Sequence, residues 1–327
     1  MIASVASEII NKIYQSLPLP FLKDDKKAAQ PLLSNDEIVD LFQRVNNIKN
    51  SGQQKYDIAH KKTGDQRSIY RGLGMDYEES RRYQPGDDPR YMNWQLSART
   101  GQHYIKIFRE ERQPGIFIIM DRRNSMRFGT QQRLKITQAA RTAAIIAFSA
   151  LQNNFSVGGV MLDDKLEWFK ENQSKQAIFD FIHQAARATT PCFDKKNITK
   201  YGIDDVMHML TVILTKGSII YFISDFYDLN DESQTSLFEL TSSHQLNAIQ
   251  ITDPAEVKLP AAGTLILKSS NDESVVSINS NSGSDSQRFE FAANNYFSSI
   301  KNILEKSGVS YQQVLTTISN IEHEVKF

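Results

Sequence analysis

The sequence has 327 residues, of which 40% are hydrophobic and 23% are charged, and its acidic and basic side chains are equal in number. These values are typical of a soluble globular protein with one large domain and a smaller one. The single cysteine, Cys192, excludes an intrachain disulfide and a cysteine-based metal cage. Because no run approaches the ~20 apolar residues of a membrane span and no signal peptide is evident, we expect a cytoplasmic protein.

Charge is distributed unevenly along the chain. Residues 60–135 contain 16 lysines and arginines against 9 acidic residues, whereas residues 136–327 contain 15 against 22. A basic module could bind nucleic acid or an acidic partner. Acidic residues are interleaved among the basic ones, which disfavours nucleic acid as a ligand and favours attraction between the two modules.

The first 33 residues predict an amphipathic helix followed by a linker. Apolar residues recur at helical spacing over residues 2–17, and the pattern stops at Pro18 and Pro20. Glu8 and Lys12 are the charged residues of this helix, so it lacks the lysine-rich face of a membrane-surface helix. We expect it to dock onto its own protein or onto a partner.

Residues 34–113 predict a small β-rich module with one helix. Ser34 or Asn35 can cap that helix. Its apolar face comprises Ile38, Leu41, Phe42, Val45 and Ile48. Residues 53–113 are punctuated by glycines and predict irregular β structure.

Residues 114–327 alternate between predicted strands and helices. Strands are predicted at 116–120, 156–162, 166–169, 218–224, 248–252 and 309–315, and helices near 131–151, 175–188, 203–215, 231–243 and 287–306. Residues 269–286 predict a hairpin or loop. This alternation predicts an α/β fold with a doubly wound, mostly parallel sheet.

Two acidic residues follow the most apolar strands of this predicted sheet. Asp121 follows residues 116–120, and Asp225 follows residues 218–224. Ligands of such sheets bind at the carboxyl ends of the strands, near the point where strand order reverses. Asp121 and Asp225 are therefore the main candidates for a functional site.

The segment from Asp121 to Ser125 resembles the metal-ion-dependent adhesion site of von Willebrand factor A domains. That family uses Asp-x-Ser-x-Ser, a threonine from another loop and an aspartate after a later strand. Asp121, Ser125 and Asp225 match these positions. The resemblance implies a threonine at Thr189 or Thr190 and a Mg²⁺ ion held by hard oxygen ligands.

Arg123 stands where the family has a serine, and a guanidinium cannot bind a metal. Three interpretations remain open. Asp121 and Ser125 could merely bind backbone amides. Alternatively, Arg123 or Arg122 replaces the metal and pairs with Asp121 and Asp225, or Mg²⁺ still binds through Asp121, Ser125, Asp225 and water.

A longer pattern precedes the sheet. It contains Gly72-x-Gly74-Met75-Asp76-Tyr77 and Arg81-Arg82-Tyr83-x-Pro85-Gly86-Asp87-Asp88-x-Arg90-x-x-Asn93-Trp94-x-x-Ser97-Ala98-Arg99. A further motif, Ile251-Thr252-Asp253-Pro254-Ala255-Glu256-Val257, lies within the sheet region. Over residues 35–320 the chain resembles the bacterial family called domain of unknown function fifty-eight. The resemblance implies a von Willebrand A-like domain and association with MoxR-type AAA+ ATPases, which assemble protein complexes.

The pattern before the sheet is rich in side chains that form ion pairs. We predict a structural brace formed by Arg81, Arg82, Asp87, Asp88, Arg90, Trp94 and Arg99. Arginine and aromatic residues are also frequent at interfaces, so a binding role remains open.

The sequence contains no phosphate-binding loop, dinucleotide-binding glycine pattern, His-Glu-x-x-His motif or nucleophile elbow. We therefore expect no catalytic residues and no cofactor, with Mg²⁺ as the less favoured possibility. The expected function is an adaptor or co-chaperone that works with a MoxR-type ATPase and a client protein. The alternative is an Mg²⁺-dependent enzyme of phosphate chemistry that uses the same strand-end acids.

Overall fold

The computed structural model describes residues 31–51, 75–110, 114–189, 201–268 and 275–325, which fall into two compact units. The smaller unit contains the described residues 75–110. The larger unit contains the sheet and its helices, including the first described helix, α1 (Asn35–Ser51). The helix predicted over residues 2–17 lies outside the described residues.

The smaller unit is a β hairpin with a short helix in its connection. β1 (Met75–Arg82) pairs antiparallel with β2 (Tyr104–Glu110), and α2 (Trp94–Thr100) lies between them in the chain. The Asn93 side chain caps the start of α2 by accepting a hydrogen bond from the Leu96 amide. This is the irregular β structure that the sequence predicts.

The larger unit alternates strands and helices, as predicted. Its strands are β3 (Ile116–Asp121), β4 (Val157–Leu162), β5 (Leu166–Asn172), β6 (Ile219–Ser224), β7 (Gln245–Thr252), β8 (Thr264–Lys268), β9 (Val275–Asn279) and β10 (Ser310–Leu315). Its further helices are α3 (Lys135–Gln152), α4 (Lys175–Ala185), α5 (Ile203–Ile213), α6 (Ser233–Ser243), α7 (Pro254–Val257) and α8 (Gly283–Lys306). β8 and β9 form a separate antiparallel hairpin; β9 falls within residues 269–286, where a hairpin or loop is predicted, whereas β8 precedes them.

The six-stranded sheet has the order β10-β7-β6-β3-β4-β5. Its neighbours are parallel except at the β5 edge, where β4 and β5 form an antiparallel hairpin. The predicted mostly parallel α/β sheet is therefore confirmed. No helix in the described ranges is long and apolar enough to cross a membrane.

Both faces of the central strands are covered. Every residue of β3, β4 and β6 is buried. Phe117 and Ile119 of β3 belong to one core cluster with α5, α6 and α8. Side chains alternate along a strand, so Ile118 and Met120 face the opposite layer, where α3 packs against β3. Such burial explains why these strands are continuous apolar runs.

The predicted boundary at residue 34 is wrong in one respect, because α1 belongs to the larger unit and not to the β-rich module. Its apolar face, including Ile38, Leu41 and Val45, is buried. Phe42 contacts the ring of Phe148 in α3, with 5.0 Å between the ring centroids. The amphipathic pattern of α1 is thus satisfied by the helical layer of the sheet.

Candidate functional site

The candidate site lies where the strand order of the sheet reverses. From β3 the chain proceeds to β4 and β5 on one side, and it then returns to β6 on the other side of β3. β3 and β6 are parallel neighbours, so their carboxyl ends share one edge. Asp121 ends β3, Ser224 ends β6, and Asp225 follows it directly. The structure thus brings both predicted aspartates to the position where α/β sheets bind ligands.

Arg123 neutralises Asp121 inside the protein. The Arg123 Nη2 and Nε atoms donate to the Asp121 carboxylate at 2.7 Å and 3.0 Å, and the Arg123 backbone amide donates at 2.9 Å. Ser224 Oγ donates to the same carboxylate at 2.7 Å. The side chains of Asp121 and Arg123 are 0% and 3% exposed. Both oxygens of the Asp121 carboxylate, which would face a metal ion, thus accept hydrogen bonds from the protein itself.

The same guanidinium also binds Asp228, a residue that the sequence analysis does not single out. Arg123 Nη1 and Nη2 donate to the Asp228 carboxylate at 2.6 Å and 2.8 Å. Asp228 in turn accepts from the Ile203 amide at the start of α5, at 3.1 Å. The Tyr227 ring lies 5.8 Å from Arg123 Cζ. Arg123 consequently ties the end of β3 to the loop after β6 and, through Asp228, to α5.

Asp225 is paired with a lysine, which corrects the prediction that an arginine holds it. The Lys135 Nζ atom donates to Asp225 Oδ2 at 2.7 Å and to Glu256 Oε1 at 3.0 Å. Lys135 is the first residue of α3 and its side chain is 0% exposed. Arg123 is already held by two carboxylates, so the second strand-end aspartate takes a second cation.

Protonation in this network follows from burial and charge. Burial favours the neutral form of Asp225, but the Lys135 ammonium outweighs it and lowers the pKa of that carboxyl. Burial raises the pKa of Glu256 to about 8, despite the hydrogen bond from the Asp253 amide. Burial likewise raises the pKa of Asp121, against the attraction of Arg123. Burial thus allows Glu256 to hold a proton near neutral pH.

The other residues predicted at this site are Ser125, Thr189 and Thr190, and they differ in how they relate to the network. The Ser125 hydroxyl lies beside Asp225 and contributes to lowering the pKa of that carboxyl, although its oxygen meets no partner with good hydrogen-bond geometry. Thr189 makes no hydrogen bond to Asp121, Arg123 or Asp225 within the described ranges. Thr190 lies outside the described residues.

Arg122 does not enter the strand-end network but joins a neighbouring cluster. It donates to Asp163 at 3.3 Å, and Arg127 and Arg187 donate to the same carboxylate at 2.9 Å and 3.2 Å. Arg187 also pairs with Glu167. This cluster fixes the β4–β5 turn against the end of α4, because Arg122 also donates to the backbone carbonyls of Ala185 and Arg187.

The donor set at the strand ends does not fit a divalent metal ion. Guanidinium and ammonium groups lie within hydrogen-bonding distance of the oxygens that would serve as ligands. Across the residues that the structure describes, no group of three or more histidine, cysteine or acidic side chains is arranged to hold a metal. A metal at Asp121 and Asp225 would have to displace or repel two resident cations.

The predicted brace consists of two separate ion pairs. Arg81 pairs with Asp87 through bonds of 2.6 Å and 2.9 Å, and Arg90 pairs with Asp88 at 2.6 Å. The hydrogen bond from Arg81 lowers the pKa of Asp87, and the one from Arg90 lowers the pKa of Asp88. Both aspartates also accept backbone amides, from Gln84 and Arg90 respectively.

Three members of the predicted brace do not take part in it. Within residues 75–110, neither Arg82 nor Arg99 forms an ion pair with Asp87 or Asp88. Trp94 is 67% exposed. Each aspartate already binds one arginine and one backbone amide, and the brace prediction is wrong for Arg82, Trp94 and Arg99.

The fold and site define a mostly parallel α/β protein with buried, cation-filled carboxylates at the strand ends. Residues 79–298 match the family described as "Protein of unknown function DUF58". The chain belongs to this family.

Relatives in mycobacteria are similar over part of their length. The chain is 25% identical over 218 residues to the uncharacterized proteins Rv1480 of Mycobacterium tuberculosis and Mb1516 of Mycobacterium bovis. The match covers 66% of this chain and 66% of each relative, so the chain spans just under two thirds of the relatives' length.

Two solved structures show weaker similarity. The conserved hypothetical protein BatB from Bacteroides thetaiotaomicron is 16% identical, with a TM-score of 0.40, over 65% of this chain and 97% of its own. An aerotolerance-related membrane protein from Bacteroides fragilis is 18% identical, with a TM-score of 0.34, over 60% of this chain and 99% of its own. Similarity at this level assigns neither a fold family nor a function.

Proposed function

We propose that the chain is a non-catalytic adaptor or co-chaperone that acts in the cytoplasm with a MoxR-type AAA+ ATPase in the maturation of protein complexes. The observation that carries this proposal is the strand-end network. It occupies the ligand-binding position of an α/β sheet, yet its carboxylates are bound to the protein's own Arg123 and Lys135. Such a site suits recognition of a protein partner better than chemistry on a small substrate.

The von Willebrand A-like character of the larger unit is part of the proposal. Asp121 and Ser125 follow the first strand of the sheet, and Asp225 follows the adjacent strand, as in the adhesion-site pattern. In this proposal Arg123 and Lys135 carry the positive charge that a metal ion carries elsewhere. Partner binding then requires no divalent ion.

The rim of the network supplies groups that a partner can contact. Tyr227 and Asp228 are partly exposed, with 23% of the Asp228 side chain accessible. Both touch Arg123, so a partner seated here would contact the network through them. An Mg²⁺-dependent phosphate enzyme is less well supported, because its metal ligands would be the carboxylates that already bind cations.

The adaptor proposal predicts a dependence of partner capture on Tyr227. We expect a tagged native chain, cross-linked in its own cell, to enrich a MoxR-type AAA+ protein when the captured proteins are quantified by mass spectrometry. Tyr227→Ala should reduce that enrichment about tenfold, since aromatic residues at interfaces often contribute more than 1 kcal/mol.

Phe238→Ala is the matched control. Phe238 is an aromatic residue of α6 that is 67% exposed, and among the described residues no hydrogen bond or ring contact joins its side chain to the network. This variant should capture the ATPase as the wild type does. Recovery of no AAA+ protein by the wild type, or equal losses for both variants, would remove the support for an adaptor that acts through the strand ends.

A further inference from the structure

The smaller unit presents an exposed surface of tryptophan and arginine. We define the Trp94 surface as Arg82, Trp94, Gln95, Ala98 and Arg99. All five residues are exposed, and Trp94 is 67% exposed. A large aromatic side chain left in water costs free energy, and tryptophan and arginine are the residues most enriched among the energetic centres of interfaces.

α2 presents four of these side chains, those of Trp94, Gln95, Ala98 and Arg99, on one continuous arc. Trp94 and Ala98 lie one helical turn apart, as do Gln95 and Arg99, and the two pairs are adjacent on the helix. Ser97 lies on the opposite side, where it is buried and its Oγ accepts a hydrogen bond from the Tyr104 amide. The contact between Ser97 and β2 fixes which side of α2 faces outward.

The position of α2 is also fixed at its start. The Asn93 amide donates to the Tyr104 carbonyl at 2.8 Å, and the Asn93 side chain donates to Ser80 Oγ at 2.9 Å. Arg82 is the register partner of Tyr104 in the hairpin, so it lies next to this anchor point. The backbone that carries the Trp94 surface is therefore held in place before any partner binds, which reduces the entropic cost of binding.

The charge of this surface is positive. Asp87 and Asp88 are neutralised by Arg81 and Arg90. Arg82 and Arg99 have no carboxylate within ion-pairing distance in the described part of the chain, and both are exposed. Two guanidinium groups thus remain available for bidentate binding of carboxylates.

We propose that the Trp94 surface docks a short acidic segment of a partner protein. Carboxylates of that segment bind Arg82 and Arg99, and an apolar residue between them packs on the Trp94 ring. We favour a protein segment over nucleic acid, because two guanidinium groups suffice to bind two carboxylates, whereas affinity for a phosphate backbone comes from neutralising many phosphates. This surface shares no residue with the strand-end network, so the proposal is independent of the function proposed above.

The two tryptophans of the chain allow a direct test. In full-length protein carrying Trp168→Phe, Trp94 is the remaining tryptophan and its emission reports on the Trp94 surface. The probe is a short fluorescein-labelled peptide of alternating glutamate and leucine. Binding measured by anisotropy should be saturable and weakened by salt, and the unlabelled peptide should shift the Trp94 emission to shorter wavelength.

Variants separate this surface from general electrostatic attraction. We expect Arg99→Glu and Trp94→Ala each to weaken peptide binding about tenfold. Lys170→Glu, which reverses an exposed charge on β5, should leave it unchanged. Equal weakening by Lys170→Glu and Arg99→Glu would overturn the proposal.

Three other outcomes would also overturn it. The first is the absence of saturable peptide binding at millimolar concentration. The second is tighter binding of a single-stranded oligonucleotide of equal charge, which would assign the surface to nucleic acid. The third is Trp94 emission at short wavelength in the free protein, which would mean that the chain covers the surface itself.

Discussion

Lys135→Met is expected to lower the free energy of unfolding by about 3–5 kcal/mol, because removing one partner of a buried ion pair leaves uncompensated charge in the interior. The ammonium lies 2.7 Å from Asp225 and 3.0 Å from Glu256, and all three side chains are at most 5% exposed. Urea unfolding near pH 7 measures the effect. Methionine fills a similar volume, so the loss reports charge more than packing.

The Lys135→Met variant should also have a distinctive pH dependence. Without the ammonium, we expect the folded-state pKa of Asp225 to rise above its unfolded value, and we expect that of Glu256, which burial already raises to about 8, not to fall. A group with a raised folded-state pKa contributes stability below its unfolded pKa, and this contribution is lost as pH rises through the folded pKa. The variant should therefore lose stability more steeply than the wild type between about pH 4 and pH 8.

Two further variants complete this test. Lys135→Met combined with Asp225→Asn and Glu256→Gln should recover much of the loss, since no buried charge then remains unpaired. Lys165→Met, at an exposed lysine of the β4–β5 turn, should change stability little. A cost for Lys135→Met no larger than that for Lys165→Met would contradict the description of the network.

Arg123→Ala has the second large expected effect, also about 3–5 kcal/mol. Asp121 is 0% exposed and would lose three side-chain hydrogen bonds from the guanidinium. Asp228, which is 23% exposed, can be hydrated instead. Most of the cost should therefore come from Asp121, and Asp121→Asn in the Arg123→Ala background should reduce it.

An exposed arginine pair provides the comparison for Arg123. Arg90 also makes a bidentate contact with an aspartate, but its side chain is 85% exposed. Arg90→Ala should leave the urea midpoint essentially unchanged, because exposed ion pairs contribute little. Similar midpoints for Arg123→Ala and Arg90→Ala would show that burial does not set the strength of these pairs.

The sheet and the position of the site can be predicted from the sequence, because a strand that is buried on both faces is a continuous run of apolar residues. β3 and β6 have such runs, and each is followed by an aspartate. Parallel neighbours bring their carboxyl ends to one edge, so Asp121 and Asp225 were expected to meet. The strand order then places both at the reversal point.

The partners of these aspartates were harder to predict, since they come from distant parts of the chain. Lys135 begins a helix whose buried residues are otherwise mostly apolar, and a lysine there was a usable signal. Glu256 belongs to an Asp-Pro-Ala-Glu capping box, which the sequence also displays. Asp228 lies in a loop with no periodic pattern, and only the folded chain shows that it meets Arg123.

The placement of α1 and the exposure of Trp94 illustrate a different limit. An amphipathic pattern shows that a helix buries one face, but it does not identify the surface that covers it. Similarly, a dense set of arginines and aspartates indicates ion pairs without specifying which arginines remain unpaired. Those assignments depend on distances between side chains.

The claim that Arg123 and Lys135 hold the positions of a metal ion can be tested by calorimetric titration of the chain with Mg²⁺ and Mn²⁺. We predict no binding tighter than millimolar and no change in unfolding temperature on addition of either ion. Binding tighter than millimolar that disappears in Asp225→Ala would contradict the claim, because it would show that the strand-end carboxylates still accept a divalent cation.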